Sequence, residues 1–140
     1  MPSTLAGDRL YGINLRPHEL ALHGEKVQFG LRYSPIFDDP TERTTHHFFL
    51  LVLEIHAEVA LDDAAPPKRV QLLKCGWELE RTTATDQTVG SVAEEPGDVP
   101  LLLKRIADTV NDLARRAGLE APLGPSVVDQ LLADYRAQTR

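Results

Sequence analysis

The sequence predicts an α+β fold: a four-stranded antiparallel sheet followed by two C-terminal helices, forming a single domain over residues 1–140. Three observations carry this. Apolar residues alternate with a period of two through the first two-thirds of the chain. From Val99 onward they recur at spacings of three and four. The helical segments follow the strands instead of alternating with them, which is the order of an α+β domain and not of a parallel sheet.

A first, weaker strand is expected within Arg9 to His23, where Pro17 implies an edge position or a break. Val27, Phe29, Leu31 and Tyr33 then alternate with Gln28, Gly30 and Arg32, the pattern of a half-buried strand. Ser34-Pro35 interrupts it, and Asp38-Asp39-Pro40-Thr41-Glu42 reads as a turn-rich connection. The third strand runs from about Thr45 to Leu61. Its second half sets Leu53, Ile55, Ala57, Val59 and Leu61 against Glu54, His56 and Glu58; its first half, His47 to Val52, is apolar on both parities and calls for cover on both faces. Asp62 to Pro67 is a connector, since two consecutive prolines supply no ladder donors.

The fourth strand starts at about Arg69. Val70 and Leu72 share one parity and Leu73, Cys75, Trp77 and Leu79 the other, so a β-bulge is expected between Leu72 and Leu73. Thr82 to Gly97 reads as a polar loop with a short extension. The first helix carries Val99, Leu102, Leu103, Ile106, Val110, Leu113 and Ala117 as its stripe, with Asp98 before it, Pro100 in the first turn and Gly118 as its stop. Asp112 lies within reach of Arg115 and Arg116, which also suit the negative end of the helix. The second helix is expected to start at Ser126 as N-cap, with Asp129 three residues on and Val128, Leu131, Leu132 and Tyr135 as its stripe.

The bulk properties exclude several classes. At 140 residues, with 42% hydrophobic and 26% charged residues, the chain is globular and long enough to fold on its own core. Cys75 is the single cysteine, so no intrachain disulfide forms. Met1 to Arg9 lacks the apolar core of a signal peptide, and the longest apolar run, Phe48 to Leu53, is far short of a membrane span; a cytoplasmic protein is the expectation. Net charge is −6, with no basic cluster beyond Lys104-Arg105 and Arg115-Arg116, which argues against nucleic acid as a partner.

The C-terminal run Arg116-Ala117-Gly118, a proline-containing strap, and Leu123-Gly124-Pro125-Ser126-Val127-Val128-Asp129-Gln130-Leu131-Leu132 resembles the SecB family of export chaperones, and Asp134-Tyr135 and Gln138 extend the match in register. The four-strand order upstream agrees with it. The resemblance implies a SecB-like fold, an ATP-independent holdase that binds non-native polypeptides without a cofactor, and assembly into a homotetramer built as a dimer of dimers. It also implies a place in protein export beside a SecA-type motor. Relatives of this fold serve as chaperones of toxin–antitoxin pairs, so a dedicated partner-binding protein or phage interaction module is the first alternative. A small-ligand-binding protein or enzyme using a pocket under the second helix is the second.

A holdase needs exposed apolar surface with little sequence preference. Phe29, Tyr33, Phe37, Phe48, Phe49 and Trp77, six of the eight aromatic residues, all lie in the strand region. Core is the simpler reading for most of them; the functional reading makes them, with Val128, Leu131 and Leu132, a client-binding groove between sheet and second helix. Phe37, beyond Pro35, is the foremost candidate. On the first helix, Leu101 added to Leu102, Ile106, Val110 and Leu113 makes a stripe broader than one sheet face requires, and these five are the expected oligomer interface.

No catalytic or metal constellation appears. His46 and His47 are adjacent and point to opposite faces, while His46 and His56 share a face about 33 Å apart along an extended strand. Cys75 sits among apolar neighbours without a basic activator. Glu54 and Glu58 share a strand face, which solvation explains more simply than acid–base chemistry. No enzyme is expected.

Overall fold

In a computed structural model of the protein, the described residues are 3–15, 26–36, 39, 41–59, 66, 68–92, 97–118 and 121–138. They form strands β1 (Thr4–Leu15), β2 (Lys26–Pro35), β3 (Thr44–Val59) and β4 (Lys68–Gln87), a short 3-10 turn (Val89–Ser91), and helices α1 (Asp98–Arg116) and α2 (Pro125–Gln138). All neighbouring strands are antiparallel, in the order β1-β4-β3-β2. Pro17 and the far end of the first expected strand, most of the connectors at 37–40 and 60–67, Leu61, and Phe37 lie outside the described residues.

Because side chains alternate across a strand, the register fixes two faces. On one, Leu31, Phe49, Leu51, Leu53, Ile55, Leu73, Cys75, Trp77 and Leu79 join Val99, Leu102, Leu103, Ile106 and Val110 of α1 and Leu131 of α2 in a single core. The other face is the open one. Leu72 and Leu73 are both buried because Ile55 pairs with Leu73 while His56 pairs with Gln71, leaving Leu72 as the extra residue of a bulge. That is the bulge the parity switch predicts.

Several boundaries depart from expectation. β1 begins at Thr4, and two register shifts, between Leu5 and Gly7 and between Leu10 and Gly12, let Leu5, Asp8, Leu10, Ile13 and Leu15 all pair with helix-side residues of β4. Simple alternation hides such a strand. β4 continues through the expected loop to Gln87, since Arg81 and Thr83 keep the helix-side parity and are themselves buried. The second helix starts at Pro125, where Val128 N–H bonds the Gly124 carbonyl at 3.1 Å, so Ser126 lies inside the first turn and is not the cap. Gly118 ends α1 at φ 78°, a conformation that suits glycine, with its N–H on the Arg115 carbonyl at 3.0 Å.

Three polar ties hold α1 to the rest. Asp98 makes no cap; its carboxylate pairs with Arg81 in the second half of β4, both almost fully buried, and Arg81 also donates to the Ser3 hydroxyl at 2.6 Å and the Ser3 carbonyl at 3.0 Å. Asp8 of β1 accepts from the Trp77 indole at 2.8 Å and from Arg105 in mid-helix. Near the helix end, the Asn111 amide bonds both the N–H and the carbonyl of Leu123 at 2.9 Å each, fixing the strap before α2. On the surface, Asp112 meets Arg116 at 3.1 Å, worth a few tenths of a kcal/mol.

Removing one member of a buried ion pair strands the other, at about 3–5 kcal/mol. Asp98→Ala is expected to lower the unfolding free energy by that amount in urea titration, and Arg81→Met with Asp98→Leu together by clearly less. Asn111→Ala, which leaves both polar groups of Leu123 unpaired, is expected to cost about 2 kcal/mol in the same measurement.

Candidate functional site

On the open face the register aligns residues in rows across the sheet. One row runs Arg9, Glu78, Leu50, Ser34; the next runs Gly12, Gly76, Val52, Arg32; the third runs Asn14, Lys74, Glu54, Gly30. The central row has two adjacent glycines, so the sheet surface there carries no side chain. A trough of about 850 Å3 results. Leu50 and Val52 of β3 and Gly12 and Gly76 form its apolar floor, while Asn14, Lys74, Arg32 and Ser34 stand around it.

The second bulge of β1 turns Tyr11 onto this face. Its ring leans over Gly76, where an added Cβ would lie 3.5 Å from both Tyr11 Cδ1 and Leu50 Cδ1, and Tyr11 remains 64% exposed. At the β2 margin the lining passes to Tyr33, stacked on Phe49 with ring centroids 5.2 Å apart, and to Tyr135 of α2. The chain has three tyrosines, and all three line this one cavity. At Tyr11 tyrosine suits an exposed place, because its ring offers apolar area and its hydroxyl tolerates water, whereas the Tyr33 and Tyr135 hydroxyls are buried.

The expected client-binding residues separate accordingly. Phe49 and Trp77, which strand parity turns toward the helices, and Leu131 of α2 are buried in the core and are not available to a ligand. Phe29, Tyr33, Val128 and Leu132 are half-buried against that core, and Tyr33 alone of them reaches the trough. Phe48 is half-buried on the open face, between two smaller hollows. The open side of the first half of β3 therefore lacks the full cover its composition implied.

Tyr11 was not singled out from sequence. The signal was present: Leu10 has one parity and Ile13 and Leu15 the other, the same switch that marks the bulge at Leu72. The expected interface on α1 also needs correcting. Leu102, Ile106 and Val110 are fully buried within the chain, which leaves Leu101 at 45% and Leu113 at 37% exposed. Those two stand about a third of a turn apart around the helix and form no stripe.

The charged residues of the open face are engaged across strands. Glu54 meets Arg32 at 3.4 Å and Lys74 at 3.7 Å, Arg9 meets Glu78 at 3.1 Å, and Glu58 accepts from Gln28 at 3.3 Å. His46 bonds Glu80 at 2.5 Å, and Arg69 donates to His56 Nδ1 at 3.3 Å. Burial, with the neighbouring Arg69 charge, pushes the His56 pKa down. Burial raises the Cys75 thiol to about 11, which makes it a poor nucleophile at neutral pH. Among the described residues no three metal-ligating side chains converge, and no helix is long and apolar enough to cross a membrane.

His47 is 2% exposed, and burial lowers its pKa, opposed by the Thr44 backbone and assisted by the His46 charge. Its Nε2 lies 3.2 Å from the Thr83 hydroxyl, which donates to the Thr85 carbonyl at 2.8 Å. The hydroxyl therefore accepts from His47, which puts the imidazole proton on Nε2 and leaves Nδ1 as a bare acceptor. A histidine held neutral by the fold takes up its proton more readily when unfolded. Its contribution to stability is complete above the ordinary value of 6.5 and is lost as pH falls from there toward the lowered folded value. Urea midpoints taken between pH 7.5 and pH 5 are expected to fall with pH in the wild type, and to fall less in His47→Gln.

No protein-family model matches this chain, and no curated protein is similar to it in sequence. Among solved structures, the SecB-like chaperone Rv1957 of Mycobacterium tuberculosis, in complex with a ChAD peptide from the antitoxin Rv1956 HigA1, is similar over 85% of this chain and 83% of its own, with a TM-score of 0.48 and 14% sequence identity.

Proposed function

We propose that this protein binds non-native polypeptide in the open-face trough and acts as an ATP-independent holdase. The observation that carries the proposal is the trough itself: an apolar floor made by paired glycines, tyrosines at both margins, and polar groups confined to the rim. An extended segment has apolar side chains to lay on such a floor. Its backbone amides and carbonyls can meet Asn14, Ser34, Arg32 and Lys74 without any particular sequence. At roughly 25 cal/mol per Å2, a few hundred Å2 of apolar contact supplies several kcal/mol before ordering costs.

The finer parts of the proposal rest on the sequence resemblance at the C-terminal strap and helix. They are a cytoplasmic location, assembly into dimers and tetramers, and delivery to a SecA-type motor. Assembly would not use Leu102, Ile106 and Val110, which the chain's own core occupies. A client limited to one partner, as for a toxin–antitoxin chaperone, keeps the same site and differs only in selectivity. The volume of the trough also lies within the range of small-molecule sites, which favours a small ligand as the second reading.

Suppression of aggregation of a denatured, slow-folding protein tests the holdase. Equimolar chain is expected to suppress it; no effect, together with no anisotropy change for a labelled unfolded polypeptide, sinks the proposal. Gly12→Val fills the floor where an added Cβ meets nothing within 4 Å, and Tyr11→Ala removes an exposed wall. Each is expected to weaken polypeptide binding about tenfold, or ~1.4 kcal/mol, at nearly unchanged urea stability.

A further inference from the structure

β2 ends at Pro35, which pairs with Phe49, and the Ile36 N–H bonds the Phe48 carbonyl at 3.0 Å, so among the described residues the stretch of β3 from Thr44 to His47 has a sheet neighbour only on its β4 side. At this free edge a hollow of about 210 Å3 opens, which explains how it is lined from both faces of the strand. Phe48 and Val89 make its apolar wall, Asp39 and Glu42 its acidic side, and His46 flanks them. His47 lines it too, and its buried Nδ1 has no hydrogen-bond partner among the described residues. Asp39 is kept ionised by the Thr41 hydroxyl at 2.7 Å and the Thr41 amide at 2.9 Å.

Each wall restricts what can occupy the hollow. Two carboxylates repel an anion. A purely apolar occupant would leave the Nδ1 acceptor buried and unpaired, a cost a ligand with an N–H donor removes. The Phe48 and Val89 wall favours a hydrocarbon stem behind that donor. We infer that this hollow is a subsite for a basic side chain, arginine or lysine, of an extended polypeptide, with the stem on Phe48 and Val89, one N–H on His47 Nδ1, and the charge beside Asp39 and Glu42.

This rests on the polypeptide-binding reading and adds a register to it. Phe48, Leu50 and Val52 follow one another on the open face of β3, and Phe48 to Val52 spans about 13 Å at ~3.3 Å per residue. A segment lying along β3 would thus place apolar residues in the trough and a basic residue about four or five positions away. The surrounding charges favour that end: Glu80 adds to Asp39 and Glu42 there, while Lys74 and Arg32 stand at the other.

The subsite can be tested without any polypeptide client. N-acetyl-arginine methylamide is titrated into the 15N-labelled protein at pH 7.5, with the His47 Nδ1 resonance as readout and N-acetyl-citrulline methylamide as the uncharged control. A saturable shift is expected with the arginine compound, at least fivefold weaker binding with citrulline, and loss of the difference in Asp39→Asn/Glu42→Gln. No shift at His47 Nδ1, or equal affinity for the two compounds, overturns the inference. A second measurement compares unfolded peptides carrying arginine or citrulline four to five residues from an apolar cluster. A loss of at least threefold with citrulline is expected in the wild type and none in the double variant; equal binding of the two peptides overturns the register. If the arginine compound binds His47 as described while no unfolded peptide binds at all, the subsite stands and the holdase reading fails.

Discussion

The buried contact between Arg81 and Asp98 is the constraint on which the rest of the architecture depends. Two charges removed from water stabilise a fold poorly unless their partners are nearly complete, and a hydrophobic pair would serve as well for stability alone. What the ion pair adds is position. Arg81 lies in the second half of β4 and Asp98 in the first turn of α1, and the same guanidinium reaches Ser3 just before β1. The start of the helix is thereby tied to one corner of the sheet. Asp98 also places its negative charge in the first turn of α1, where the helix dipole favours it.

From that corner the orientation of α1 follows. The Asp8 bonds to Trp77 and Arg105 hold the middle of the helix, and the Asn111 bonds to Leu123 hold its end and the strap. Ties at the start, middle and end leave the helix little freedom to rotate, so the core of its apolar stripe, Val99 to Val110, is spent within the chain. That is why Leu102, Ile106 and Val110 have nothing left for a second copy. It is also why one sheet face is buried while the other is free to carry a site.

The fold was largely legible in the sequence because its determinants are local. Period-two alternation, the change to helical spacing after Asp98, the parity switch at Leu72 and Leu73, and the glycine after Arg116-Ala117 each act within a few residues. The site was legible only in part. Phe49 and Trp77 stood out as large aromatics, yet parity assigns them to the core, and composition cannot say which face a helix will cover. Tyr11 depends on a bulge in an edge strand, and the floor depends on Gly12 meeting Gly76 across a register. The parity switch between Leu10 and Ile13 marks that bulge locally, but the pairing of Gly12 with Gly76 joins segments more than sixty residues apart, which no local window contains. Phe37 lies outside the described residues.

The division among aromatic side chains gives a physical reason for placing function on the open face. Phenylalanine and tryptophan gain most when wholly removed from water, and Phe49 and Trp77 are so removed. Tyr11, left largely exposed at a wet margin, loses less, because a tyrosine hydroxyl can stay solvated while its ring offers area to a partner. An open sheet face that served only solvation would carry charged ladders throughout, as it does around Glu54 and Glu78. Between those ladders the chain instead sets two glycines side by side, turns Tyr11 toward them by a bulge, and brings Tyr33 and Tyr135 to the opposite margin. Bulges and glycines weaken a strand, so their concentration at one hollow is a local cost that the sheet's own stability does not require. A bound chain laid over Leu50 and Val52 would restore the missing apolar contact, and the hollow has the form of a surface completed by a partner.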